Sequence, residues 1–153
     1  MNDPDVVRYM EARHGEHTLA SIAAYVEKLG AGNSDFLMGI FEIESGCHVG
    51  NIKIGPVNSI HRTASLGLVI GDKTRWNRGY ASEAIGLAAR HAFGVLNLHK
   101  LTAGIVDGNE ASLKAFLKNG FLVEGVRRQQ NLCGSVWRDE TLVGLLAEEF
   151  ASG

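Results

Sequence analysis

Two periods of apolar residues run through this chain. Ala64, Leu66, Leu68 and Ile70 alternate with Ser65, Gly67 and Val69, the period of a half-buried strand. A few residues later Ala81, Ala84, Ile85, Ala88, Ala92, Val95 and Leu96 recur at helical spacing. Between them lies a polar, basic loop, Arg75-Trp76-Asn77-Arg78-Gly79, and the helix is expected to start near Tyr80. Upstream, Asp3, Pro4 and Asp5 make a helix start that should run to about Arg13. Thr18 caps a second helix, expected to pass through Leu29 and stop at Gly30. Phe36 to Ile43 and Val49 to Ile54 read as strands joined by the turn Glu44-Ser45-Gly46, and Pro56 to Arg62 is a connection. With Ala64 to Ile70 they predict an antiparallel meander. Lys100 to Val106 is a further strand, and Asn109 to Lys118 a short helix closed by Asn119-Gly120. Phe121 to Arg128 and Val136 to Leu146 are the last strands, with Cys133-Gly134-Ser135 at their turn. The order predicts one α/β domain over residues 1–153, a mixed sheet with helices on both faces.

The loop between strand and helix is where chemistry is expected. Free N–H groups of a first helical turn, and the positive end of the helix dipole, suit an anionic group. Gly79 lets the backbone approach such a group closely, and Lys73, Arg75 and Arg78 add positive charge. Glu83 falls in the same first turn, where a carboxylate favours the dipole.

Composition narrows the functional classes. Hydrophobic residues make up 45% and charged residues 21%, ordinary for a globular protein. A net charge of −2 argues against a nucleic-acid binder working through a basic surface. Cys47 and Cys133 have no CxxC partner, so neither a metal site nor a disulfide is indicated, and a reducing, cytoplasmic setting is expected. No apolar run is long enough to cross a bilayer, so no membrane partner is expected.

Gly79-x-Ala81, with a basic residue before the glycine and Glu83-Ala84 after, resembles the pyrophosphate loop of the GNAT (GCN5-related) N-acetyltransferases. The segment Asn109 to Phe121, with Asn109 at the helix start, Ser112 three residues on and Gly120-Phe121 at its close, resembles the family's second motif. Both stretches fall in the family's order. The tail (Gly120 to Arg127, Trp137 to Glu140, Gly144 to Leu146), the opening Asn2 to Tyr9 with Thr18, and Leu96 to Lys100 are similar to one branch. That branch holds ribosomal-protein-alanine N-acetyltransferases and enzymes acting on amino groups of nucleotide-linked sugars.

The resemblance implies the GNAT-type acyl-CoA fold, acetyl-CoA as donor and direct attack by an amine in a ternary complex. It implies donor contacts from Leu68, Val69 and Ile70 at a splayed strand, from Arg75, Arg78, Gly79, Tyr80, Ala81 and Ser82 at the pyrophosphate, and from Asn109, Ser112 and Phe116 along the pantetheine arm. Ser112 is the hydroxyl nearest the leaving thiolate, because Phe116 stands where other members carry a tyrosine acid. Glu83 is a second catalytic candidate. Glu11, Arg13 and His61 are candidates for the acceptor side, and Trp137 and Tyr9 either line the acceptor pocket or pack. The acceptor is expected to be the primary amine of a small molecule such as a nucleotide-linked amino sugar. A protein N-terminus, or a non-catalytic coenzyme A sensor, are the other readings. Family members ordinarily begin with a strand before the Asn-Asp-Pro helix. This chain starts at that helix, so a missing first strand is expected, with an unpaired sheet edge open to another chain and a possible homodimer.

Overall fold

The computed structural model describes residues 2–152, apart from the side chains of residues 12, 13 and 152. Its strands are β1 (Phe36–Phe41), β2 (His48–Ile54), β3 (Thr63–Ile70), β4 (Lys100–Val106), β5 (Leu122–Cys133) and β6 (Val136–Leu146). They form one mixed sheet in the order β1-β2-β3-β4-β6-β5, so β1 and β5 are its edges. β1, β2 and β3 are an antiparallel meander, β3 runs parallel to β4, and β6 is antiparallel to both β4 and β5.

Register puts the apolar residues of neighbouring strands on one face. Ile52 pairs with Leu68, Ile54 with Leu66, Leu101 with Leu145 and Ala103 with Val143. Two helices cover that face, α3 (Tyr80–Gly94) and α4 (Glu110–Lys118). The α3 face is mostly alanine (Ala84, Ala88, Ala89, Ala92) around a fully buried Ile85, so the helix lies close on the strands. From α4, Phe116 enters the same core and meets Phe121 edge to face at 5.0 Å. Each fully buried side chain such as Ile54, Ile85 or Leu101 is worth roughly 1.5–3 kcal/mol in transfer from water.

Several boundaries differ from those read in the sequence. The first helix, α1, spans only Pro4–Val7. The Met10 N–H donates to the Val7 carbonyl (2.9 Å), a tighter bond than the α-helical one, and Glu11–His14 follows as a 3-10 turn. Helix α2 (Leu19–Ala31) runs through Gly30 and ends at Gly32, whose N–H bonds the Leu29 carbonyl at 3.2 Å. Its start is as expected, a reciprocal cap between Thr18 and Ser21. Strand β1 stops at Phe41, and β5 continues to Cys133 because pairing resumes beyond a bulge, with Asn131 opposite Arg138. A short helix, α5 (Ala147–Ser152), was not anticipated. Glu149 caps its start by accepting from the Leu146 N–H at 2.8 Å, and Phe150 stacks on Phe93 at 5.4 Å. Among the described residues no helix is long and apolar enough to cross a membrane.

Candidate functional site

The site begins where two strands part. β3 and β4 pair only from Thr63–Ser65 to Lys100–Thr102; beyond that β3 stays with β2 and β4 with β6. Hydrogen-bond parity says which groups face the gap. Gly55 N–H donates to the Ser65 carbonyl and Gly71 N–H to Val49, so the odd-numbered residues of β3 turn their backbone groups toward β2. The even-numbered residues Leu68 and Ile70 therefore turn theirs into the gap. Val69, expected to act with them, does not: its N–H points to β2.

Helix α3 starts at the mouth of this gap. Gly79 caps it in the left-handed conformation (φ 88°) and supplies no side-chain acceptor. The first helical N–H with a helical partner is that of Glu83, which bonds Gly79, so those of Tyr80, Ala81 and Ser82 are free for a ligand. A Cβ on Gly79 would meet no atom within 4 Å, so the approach is open. The Trp76 indole N–H donates to the Ile70 carbonyl at 2.9 Å and ties the loop to the end of β3. On the far side Asn109 caps α4, accepting from the Ser112 N–H at 3.4 Å.

Together these walls enclose an open cleft of about 620 Å³. Of the residues expected from sequence, Leu68, Val69, Ile70, Arg75, Gly79, Tyr80, Ala81, Ser82, Asn109 and Ser112 line it. Others do not. Phe116 is buried against Phe121, because its place on α4 points into the core. Glu83 is exposed on α3, away from the cleft, and His61 is exposed in a turn where its N–H bonds Asn58. Arg78 is exposed outside the lining, Glu11 lies in the 3-10 turn outside it, and the side chain of Arg13 falls outside the described residues. Trp137 is 58% exposed on β6, whereas Tyr9 lines the cleft. Lys114 and Lys118 were missed; one turn apart on α4, they continue the helical row that starts at Glu110, on a different face from Ser112.

Three predicted residues, Arg75, Tyr80 and Ser82, are already engaged. Arg75 Nη1 lies 2.7 Å from Glu42 Oε1, so much of its charge is neutralised within the protein. Glu42 also accepts from the Ser45 and Tyr80 hydroxyls. The Ser45 bond, then the Tyr80 bond, then the charges of Arg75 and Arg78 hold the Glu42 carboxyl below its ordinary range. In turn the Glu42 bond, with burial, pushes the Tyr80 phenol up. Ser82 is held by Asn119, whose Nδ2 donates to its carbonyl at 2.9 Å and its hydroxyl at 3.1 Å.

A parted parallel strand pair beside a helix start with free N–H groups suits an extended ligand that ends in an anionic group. Residues 1–122 match the family model described as an acetyltransferase (GNAT) domain.

This chain belongs to the GNAT acetyltransferase family. It is an acetyl-CoA-dependent N-acetyltransferase by that membership. It is 29% identical over 126 residues to a probable N-acetyltransferase, YjcK, of Bacillus subtilis, covering 82% of this chain and 68% of that protein. It is 34% identical over 80 residues to the spermidine N(1)-acetyltransferase of Escherichia coli, covering 52% of this chain and 42% of that enzyme. The spermidine N-acetyltransferase of Vibrio cholerae, solved with CoA and spermine, superimposes with a TM-score of 0.89 over 98% of this chain and 87% of its own; at 19% identity this is a likeness of fold. A GNAT-family acetyltransferase from Bacillus anthracis gives a TM-score of 0.81 at 27% identity, over 96% of this chain and 84% of its own.

Proposed function

We propose that this GNAT domain acetylates the primary amine of a small molecule, with a nucleotide-linked amino sugar as one acceptor of the right class. The observation that carries the donor half is the pairing of Leu68 and Ile70, facing an open gap, with the free N–H groups of Tyr80, Ala81 and Ser82 across it. Acetyl-CoA supplies an activated thioester. Its pyrophosphate suits the α3 start, where the helix dipole and the free N–H groups favour negative charge. The Leu68 and Ile70 N–H groups are the candidates to stabilise charge growing on the thioester oxygen.

The amine lone pair forms a C–N bond to the carbonyl carbon while the C–S bond breaks and sulfur leaves with its electron pair; the proton the new amide nitrogen sheds balances the one the thiolate takes up. Ser112, in the first turn of α4 and lining the cleft, is the group assigned to donate a hydrogen bond or proton to that sulfur. The amine must first lose a proton, because an alkyl ammonium titrates near ~10.4 and only its neutral form attacks.

Titration of acetyl-CoA into the purified protein tests the donor half; micromolar binding that Gly79→Glu abolishes supports it, and no binding by the folded protein refutes it. Thiol release with a panel of amines then tests the acceptor. A polyamine acceptor is the second reading, favoured by the likeness to spermidine acetyltransferases.

A further inference from the structure

Next to the donor cleft is a second hollow of about 450 Å³ that shares Arg8 and Tyr9 with it. Among the described residues the others that line it are His14, Cys133, Gly134 and Arg138, none of them a carboxylate. Arg8 lies over the Tyr9 ring, 5.4 Å from its centre. Gly108 marks the passage between the two spaces. A Cβ there would sit 3.2 Å from the Tyr9 hydroxyl and 3.4 Å from Arg138 Nη1.

Neighbouring carboxylates are occupied or turned outward. Asp139 accepts from the Gln129 N–H at 2.8 Å, and Glu140 pairs with Arg127 at 3.2 Å. Among the described residues Arg138 has one carboxylate partner, Asp107, whose Oδ2 accepts from its Nη1 at 3.4 Å and whose side chain is 66% exposed. One more donor is buried on the strand face that carries two of the lining residues. Asn131 is 7% exposed, its Nδ2 has no partner, and it shares a face of the β5–β6 hairpin with Cys133 and its cross-strand partner Arg138. A buried amide without an acceptor is costly unless a ligand or water supplies one.

We infer that this hollow holds an anionic group of the acceptor, a phosphate or carboxylate remote from the reacting amine, on Arg8 and Arg138. The inference rests on the acetyltransferase reading and names its substrate class. A polyamine brought to the same hollow would place cations beside two guanidinium groups. The acceptor amine enters past Tyr9 and Gly108 toward Leu68 and Ser112, while its charged end stays among the arginines.

The test uses glucosamine and glucosamine 6-phosphate as a matched pair, with spermidine as the polycation. Thiol release should show KM at least tenfold lower for the phosphorylated amine than for glucosamine. Arg138→Gln should erase most of that gap while leaving glucosamine turnover and acetyl-CoA affinity unchanged, and Arg138→Lys should restore part of it. Rising salt should weaken only the phosphorylated amine. Equal use of the pair, or a preference for spermidine, overturns the inference, as does an Arg138→Gln effect that is equal on both amines.

A readout without turnover separates the two levels. Pyrophosphate titrated into protein saturated with coenzyme A should bind, and Arg138→Gln should lose that binding. Binding with no turnover of any amine removes the acetyltransferase reading and leaves the anion site standing. No binding removes the anion site.

Discussion

Asn119 Nδ2 donates to the Ser82 carbonyl at 2.9 Å, joining the end of α4 to the first turn of α3. The same nitrogen reaches Ser82 Oγ at 3.1 Å and the Ala115 carbonyl at 2.8 Å. The residue that ends one cleft helix thus positions the turn whose N–H groups are free at the cleft. Asn119→Ala should cost about 1–3 kcal/mol, the range for a half-buried acceptor left unsatisfied. Thermal denaturation with and without acetyl-CoA should show a lower Tm and a smaller ligand-induced rise. Gly86→Ala should act alike, since its Cβ would come within 2.8 Å of Asn119 Oδ1.

Gly79 combines a left-handed φ of 88° with open space where a Cβ would stand. Gly79→Ala should therefore fold with a loss of about 1–2 kcal/mol from backbone strain. Gly79→Glu adds a carboxylate where an anion is to be held, and calorimetric titration should find acetyl-CoA binding abolished with the circular dichroism spectrum unchanged. Retained binding would move the donor site elsewhere.

Ser112→Ala should separate binding from chemistry. Acetyl-CoA affinity should be little changed, because the Asn109 cap takes the Ser112 N–H and leaves its hydroxyl out. Turnover should fall by about a hundredfold, the low end for a positioned proton donor. An unchanged kcat would assign leaving-group stabilisation to another group.

Phe116→Tyr restores the tyrosine that the family resemblance would place there. Because Phe116 is 2% exposed and stacked on Phe121, the new hydroxyl enters an apolar core. Stability should drop by about 1–3 kcal/mol and kcat should not rise. A rate gain at unchanged stability would mean that this side chain reaches the sulfur after all.

The Glu42 cluster predicts an acid-sensitive loop. Its carboxyl titrates below its ordinary value of 4.5, owing first to Ser45, then Tyr80, then the arginine charges. A folded-state pKa below the unfolded one gives stability that is full above the ordinary value and is lost as pH falls through the folded value. Tm should therefore decline below about pH 4.5. Glu42→Gln should lower Tm at neutral pH and flatten that decline, which a series of melts across pH would reveal.

The sequence carried the local half of this protein. Periodicity located most of the regular elements, and Thr18, Gly79 and Asn109 announced helix starts through the backbone groups they cap or free. It also pointed to Gly79, Ser112 and the Leu68–Ile70 stretch, all of which line the cleft, because a cleft walled by strand and helix-end backbone leaves its residues close together in sequence.

What it could not state depends on partners far apart in the chain. Which N–H groups face the gap follows from the β2–β3 register, and that separated Val69 from Leu68 and Ile70. Arg75 read as a free cation until Glu42, thirty-three residues earlier, was found against it. The proposed anion site draws on Arg8 and Arg138, which come from opposite ends of the chain. Local backbone preference acts over a few residues and can be read from their order. Register, ion pairing and burial are settled only when the whole sheet closes, and the proposed acceptor side rests on them.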